Sequence, residues 1–435
     1  MLSTLAAGPL ALAACVVPGR SGAAESSAGP KALPVPRTVE YWSQYASGDA
    51  LNAQNALLAR YQERNPGVTV NTAVAPMVNQ VPEKTIAAVA AGTPPDAAVF
   101  DRFMIATFAV KDTFTPLTDL AKRDGMTAKE YYPFAWNEAG YKDKLYALPF
   151  QTGIRAVFYN RAHLKEAGIN PDQPAKTLTE LDQHAIRLTQ QDGDRYTRVG
   201  FIPWIGNSHF YTYGWLFGGE FYDPKTNRCT ANDPHNVQAL EWEAGYARRL
   251  GDARERAFEA TFSQVQGGAF VGGLVSYFHT TQSLINAAPQ QNPSLDYGAI
   301  PLPPAPGQTK TSTWSGGFGY IIPRGARQLE AGWHLAKFLG SDEGELLWTQ
   351  TTFNLPVRVN VAKSDFWQEQ AKDARMKVFL DLLPIARSRP VMPAAQQLWD
   401  ELNDAVEQVR KGAALPKDIL DDVTRRVNLE LAKYG

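Results

Sequence analysis

The chain carries none of the short patterns that assemble a reacting centre. It has no GxSxG elbow, no HExxH zinc helix, no GxxxxGK[ST] phosphate loop and no CxxC pair. Its 6 histidines are scattered, without the spacing of a metal site. Carboxylates are plentiful, but an acid/base pair for hydrolysis is defined in space and not in sequence, so counting them makes no case for catalysis. The expectation is therefore a protein that is not an enzyme, with no metal and no cofactor. The residue types speak instead for binding. The chain holds 10 Trp, and 11% of its residues are aromatic. Sugars present apolar C–H faces rimmed by hydroxyls. A site for them needs aromatic platforms together with planar polar groups that donate and accept in fixed directions.

The elements that would position such groups are legible in outline. At 435 residues the chain exceeds one ordinary core and fits two large lobes. With 43 basic and 44 acidic residues the net charge is −1, so electrostatics favour neither nucleic acid nor an anionic membrane surface as a partner. Thr38 to Tyr45 alternates as a first strand, Leu51 to Asn65 has helical spacing ended by Pro66-Gly67, and Val68 to Val74 is a second strand. Strand, helix and strand at this spacing suggest a βαβ unit and a parallel sheet. Glu83 to Ala91 is a further helix, and Asp96 to Phe100 a buried strand. Leu145 to Phe158 reads as buried strand with Arg155 its one charge. Pro149 and Gly153 interrupt it, so it is expected to be a crossing segment whose backbone bends. Thr177 and Glu180 have the spacing of a capping box at the start of another helix.

Several of these stretches together resemble one family. "LYALPF…VFYNRAHLKEAGIN…KTLTELDQHAIRLT", "AAVAAGTPPDAAVFD", "FSQVQGGAFVGGLVSYFHTT" and "DYGAIPLPPAPG" are similar, in order and spacing, to bacterial extracellular solute-binding proteins of the sugar-binding family, the receptors that feed ABC importers. The resemblance spans nearly the whole mature chain. It implies an α/β, two-lobed periplasmic-binding-protein fold, each lobe a mixed, mostly parallel sheet flanked by helices. Lobe one is expected at 38–151 and 308–341, lobe two at 152–307 and 342–435, with hinge crossings at Phe150–Thr152, at Pro304–Gly307 and near Ser341. It also implies a monomer that takes a carbohydrate, in particular an oligosaccharide, into the cleft and delivers it to the permease subunits.

The N-terminus fits an extracytoplasmic location. Cys15 follows Leu12, Ala13 and Ala14 at the end of a short apolar segment, which resembles the lipobox of bacterial lipoproteins. That resemblance implies a signal peptide at 1–14, acylation of Cys15 and a lipid anchor in the cell membrane, although no Lys or Arg precedes the apolar run. Residues 15–37, rich in Gly, Ala, Ser and Pro, read as a flexible tether. Cys229 is then left without a partner, as a bystander thiol.

In such a fold, ligands bind outside the carboxyl ends of the strands. The resemblance places Trp42 and Gln44, Asp101 and Arg102, and Gln151 there in lobe one. From lobe two it offers Trp204, Tyr213 and Trp215, with His279 and Thr280 at a strand-to-helix turn. Trp314, Gly316 and Gly317 lie on the recrossing strand, where a glycine pair lets backbone approach a ligand closely. Arg358 follows "FNLPVR". Each residue also fits a role in packing: tryptophans in the core, Arg102, Arg155 and Arg358 as salt-bridged struts, His279 as a structural histidine. The arginines equally suit an anionic ligand such as glycerol phosphate or an acidic sugar. The rival from another class is a secreted carbohydrate-active enzyme.

Overall fold

The computed structural model describes residues 37–77, 82–262, 264 and 267–434. The expected signal segment, the acylated Cys15 and the tether up to residue 36 lie outside them. Two sheets organise the chain. The first has five strands in the order Val68–Val74, Arg37–Ser43, Ala97–Asp101, Phe318–Ile321, Ala147–Pro149. Its first three strands are parallel, and Phe318–Ile321 runs antiparallel to both of its neighbours. Along Arg37–Ser43 the buried residues Val39, Tyr41 and Ser43 alternate with more exposed ones, as in a strand covered on one face. Ala97–Asp101 is buried at every position, as a strand covered on both faces must be. The helix Gly48–Arg64 closes one side of this sheet with Ala53, Leu57, Leu58 and Tyr61.

The second sheet has three strands, with Arg155–Asn160 between Tyr277–Thr281 and Tyr297–Ile300. Both pairings are antiparallel, so the mostly parallel sheet expected for this lobe is not what forms. The βαβ pattern at the N-terminus governs the first lobe only. In the second, the crossing strand becomes the centre and both of its partners run back along it. A layer of helices, including Phe210–Phe217, Pro234–Leu250, Ala395–Arg410 and Pro416–Leu431, completes the lobe. The two-lobed α/β architecture read from the sequence is the observed one.

The C-terminal third is distributed differently from expectation. The helix Asp342–Thr352 packs on Gly48–Arg64 in the first lobe, and Glu343 pairs there with Arg60 and Arg64. The chain reaches the second lobe only at the helix Ala374–Leu382, where Phe379 meets Phe158 with ring centroids 5.5 Å apart. The third crossing thus falls after Gln370 and not at Ser341. The helix that follows Ser341 has an amphipathic face that fits the first-lobe helix layer, a choice that periodicity alone leaves undecided. No helix among the described residues is long and apolar enough to cross a membrane.

One buried acid gives this core a pH dependence. Glu243 lies in Pro234–Leu250 at 2% exposure, and its Oε2 has no hydrogen-bond partner. Burial pushes its carboxyl up to about 8, opposed by Arg410. A carboxyl whose folded pKa lies above its unfolded value of about 4.3 contributes stability below pH 4 that is lost as pH rises toward 8. Glu243→Gln should therefore be more stable than the parent at pH 8 by a few kcal/mol, with the advantage shrinking toward pH 5. Urea unfolding at both pH values checks this, and a pH-independent difference would contradict it.

Candidate functional site

The chain crosses between the lobes in three adjacent extended segments. Thr152 and Leu355 exchange backbone hydrogen bonds at 2.8 and 2.9 Å, Gly153 and Gly316 exchange them at 2.9 and 3.0 Å, and Ser315 N–H donates to Arg387 at 2.9 Å. Gly317 is required in this bundle, since a Cβ on it would lie 2.3 Å from the Gln151 carbonyl and 2.6 Å from Arg102 Nη1. The recrossing runs at 313–317, on the strand expected to recross, and the hinge candidate Pro304–Gly307 lies before it.

Against these segments lies a cavity of about 470 Å³ between the lobes, within the usual range for small-molecule sites. The first lobe contributes Asp101, Gln151, Phe318 and Asn354. The second contributes Arg155 and the Gly206–Asn207–Ser208 loop, and Gly153, Trp314, Gly316, Arg389 and Trp399 complete the wall. Five of the residues expected at a ligand site are brought together here: Asp101, Gln151, Trp314, Gly316 and Gly317.

The wall on the first-lobe side is a buried ionic network. Asp101 Oδ1 accepts from the Phe103 N–H at 2.9 Å and from Arg389 Nη2 at 2.9 Å. Arg389 Nε donates to Glu138 at 2.9 Å, and Arg102 Nε lies 3.3 Å from the same carboxylate. Four charges with fixed partners in a low-dielectric setting hold one another at defined positions. Gln151 is held as tightly: its amide donates to Tyr45 Oη at 3.3 Å, and its Oε1 accepts from Trp348 Nε1 at 3.0 Å and from Asn354.

The opposite wall is aromatic and cationic. Trp399 stacks on His209 at 3.7 Å between ring centroids and meets Trp314 edge-on at 5.6 Å. The Arg155 guanidinium lies 3.3 Å over the Trp314 ring and donates to Gly153 O at 2.6 Å and to Asn207 Oδ1 at 2.9 Å. Trp314 Nε1 is buried with no protein acceptor, an unmet donor at the cavity wall. His209 is held down at about 3 by burial and then by Arg389 and Arg155, so it stays neutral and serves as a flat backing for Trp399. The site thus combines aromatic faces with directional donors and acceptors, and among the described residues on its wall Asp101 is the carboxylate.

The remaining expected residues do other work. Arg102 is fully buried and braces the crossings by donating to Gln151 O at 2.7 Å and Phe318 O at 3.0 Å. Arg358 is a strut on the first lobe, paired with Glu130 at 2.6 Å and with Asp342, and bonded to Tyr131 Oη at 2.6 Å. Trp204 donates to Glu255 and Glu259 at 3.2 and 3.1 Å under Arg410, beside a separate cavity of about 150 Å³ inside the second lobe. Tyr213 is buried and donates to Pro203 O at 2.9 Å, while Trp215 is buried beneath Arg387 and lines a further cavity, of about 950 Å³, that Trp136 and Tyr141 border from the first lobe. His279 is fully buried, bonds Ser208 Oγ at 3.0 Å and is pushed down to about 3 by burial and then by Arg155. Thr280 is paired within the second sheet opposite Ala156. Trp42 sits half-buried under Lys84, and Gln44 packs beside the first strand, neither on the cavity wall.

Sequence reasoning missed Arg389, Asn207 and Trp399. Trp399 lies next to the buried stripe Leu398, Leu402, Ala405 and Val409 of its helix, and this half-buried aromatic beside an apolar stripe was the signal available. Asn207 follows Gly206, whose φ of +79° and close approach to His279 O turn the loop into the cavity.

Fold and site together define a two-lobed receptor that encloses a small solute. The chain belongs to the bacterial extracellular solute-binding protein family, whose model matches residues 56–375. A binding protein of Brucella abortus is 25% identical over 376 residues, covering 86% of this chain and 88% of its own. The mannobiose-bound structure of CpMnBP1 superposes with a TM-score of 0.78 at 25% identity, over 90% of this chain and 100% of the other. The sn-glycerol-3-phosphate-binding periplasmic protein UgpB of Escherichia coli is 21% identical over 426 residues, covering 91% and 93%.

Two substitutions separate the struts from the site. Arg102→Ala leaves two buried backbone carbonyls without their donor and removes one of the two cations beside Glu138, and should cost about 3 kcal/mol in unfolding experiments. Arg358→Ala should cost about 1–2 kcal/mol and leave ligand affinity unchanged by calorimetry. Loss of binding in Arg358→Ala would return that arginine to the site.

Proposed function

We propose that this protein is the extracytoplasmic substrate-binding component of an ABC importer and takes a carbohydrate, of oligosaccharide size, into the cavity between its lobes. The observation that carries this reading is the juxtaposition of Trp314 and Trp399 with Asp101, Gln151, Asn207 and Asn354 around one interlobe cavity. Aromatic faces hold the apolar side of a pyranose while planar amides and carboxylates meet its hydroxyls. The mannobiose-bound relative supports the ligand class. Closure follows from the geometry: only with the lobes together does a solute meet both walls, so binding favours the closed arrangement and release returns it intact. The permease subunits would meet the outer surfaces of both lobes. Acylation at Cys15 would hold the monomer at the membrane.

Thermal unfolding against mono- and oligosaccharides tests this. A sugar at about 100 times its Kd should add roughly 2.7 kcal/mol, and Trp399→Ala should remove roughly 1–3 kcal/mol of that affinity. No response to any saccharide would refute the carbohydrate reading. Recovery of cleaved sugar after incubation would favour an enzyme.

A further inference from the structure

The charges around the cavity do not balance. Arg389 is neutralised by Asp101 and Glu138, and Arg102 leans on Glu138 as well. Arg155 is different. It is 5% exposed, lines the cavity, and hydrogen-bonds only to neutral groups, namely Gly153 O, Trp314 O and both oxygens of Asn207, with the Trp314 face beneath it. Among the described residues no carboxylate forms an ion pair with it. Three buried guanidiniums thus face two buried carboxylates, and the surplus positive charge is on the ligand side. Burial, and then repulsion from Arg389, disfavour its charged form, against the attraction of Glu138 and Asp101 at longer range. An unpaired buried cation is costly to keep. Its geometry is also fixed in advance: stacking on Trp314 and hydrogen bonds from all three nitrogens to Asn207, Gly153 O and Trp314 O orient the guanidinium before any ligand enters, which leaves one Nη2–H and the unneutralised charge for an oxyanion.

We infer that the saccharide bound here carries a carboxylate, as a uronic-acid unit does, and that Arg155 is the residue that selects it. The inference rests on the carbohydrate reading above and narrows it. A single carboxylate restores neutrality to the network. A phosphate dianion would overshoot it and bring excess negative charge toward Asp101 across the same cavity. Asn207, which accepts from Nε and Nη2 of the guanidinium, fixes its orientation and so acts as a positioning residue.

Calorimetry with the intact protein decides the matter. The probes are di- and trisaccharides of uronic acids, their uncharged methyl esters, the neutral oligosaccharides of matching linkage, and sugar and glycerol phosphates. The expected result is that a uronate binds at least 30-fold tighter than its methyl ester and its neutral counterpart. Arg155→Lys should retain part of that advantage and Arg155→Gln should abolish it while neutral sugars still bind. The ester comparison needs no variant and stands even where a substitution unfolds the protein. Equal affinity for uronate and ester, or preference for the phosphates, overturns the inference. Tight binding of a neutral oligosaccharide alone overturns it too but leaves the carbohydrate reading intact, whereas silence with every saccharide removes both.

Discussion

The structure depends on the chain of buried charges that runs from Asp101 through Arg389 and Glu138 to Arg102. These groups come from a strand end, a C-terminal segment, a short helix and a turn that are far apart in sequence. Burying them is tolerable only because each has a partner at hydrogen-bonding distance, and breaking the set would strand a charge in the interior. The network therefore fixes the C-terminal segment 387–391 against the first lobe and braces the crossing at Gln151 through Arg102. The floor of the cleft is rigid for the same reason. A solute that enters meets groups whose positions are already determined, so little further ordering is charged against its binding.

Around that floor the fold assigns different duties to similar residues. Arg102, Arg358, Arg389 and Arg155 all follow or precede apolar segments, yet the first three lie in ion pairs with carboxylates and Arg155 is stacked on an indole and held by neutral acceptors. Likewise Trp204 and Trp215 are tied into the second lobe by Glu255, Glu259 and Arg387, whereas Trp314 and Trp399 border the cavity. Which of these a side chain becomes is decided by what the tertiary structure puts within 4 Å of it.

The family resemblance and the site reading stand on different ground. The membership follows from the match over residues 56–375 and from the interlobe architecture. The proposed ligand rests on local chemistry: two tryptophans, several planar amides and a guanidinium without an ion-pair partner. The same scaffold accommodates solutes as different as mannobiose and sn-glycerol-3-phosphate in its relatives, because the framework supplies the hinge and the loops supply the recognition.

By itself the sequence determined the two-lobed α/β class, the N-terminal βαβ unit, the crossing near Pro149 and Gly153, and the candidacy of Asp101, Gln151, Trp314, Gly316 and Gly317. The elements are legible because hydrophobic period and Gly and Pro punctuation are local signals, and the candidate residues because the family resemblance places them at the strand ends. The tertiary structure alone decided the antiparallel second sheet, the placement of Asp342–Thr352 on the first lobe, and the recruitment of Arg389, Asn207 and Trp399 to the cleft. It also retired Arg102, Arg358, Trp204 and His279 to support roles. Those outcomes depend on partners outside the local sequence pattern, and an arginine or tryptophan carries no local mark of whether its neighbour in space is a carboxylate, a ring or a solute.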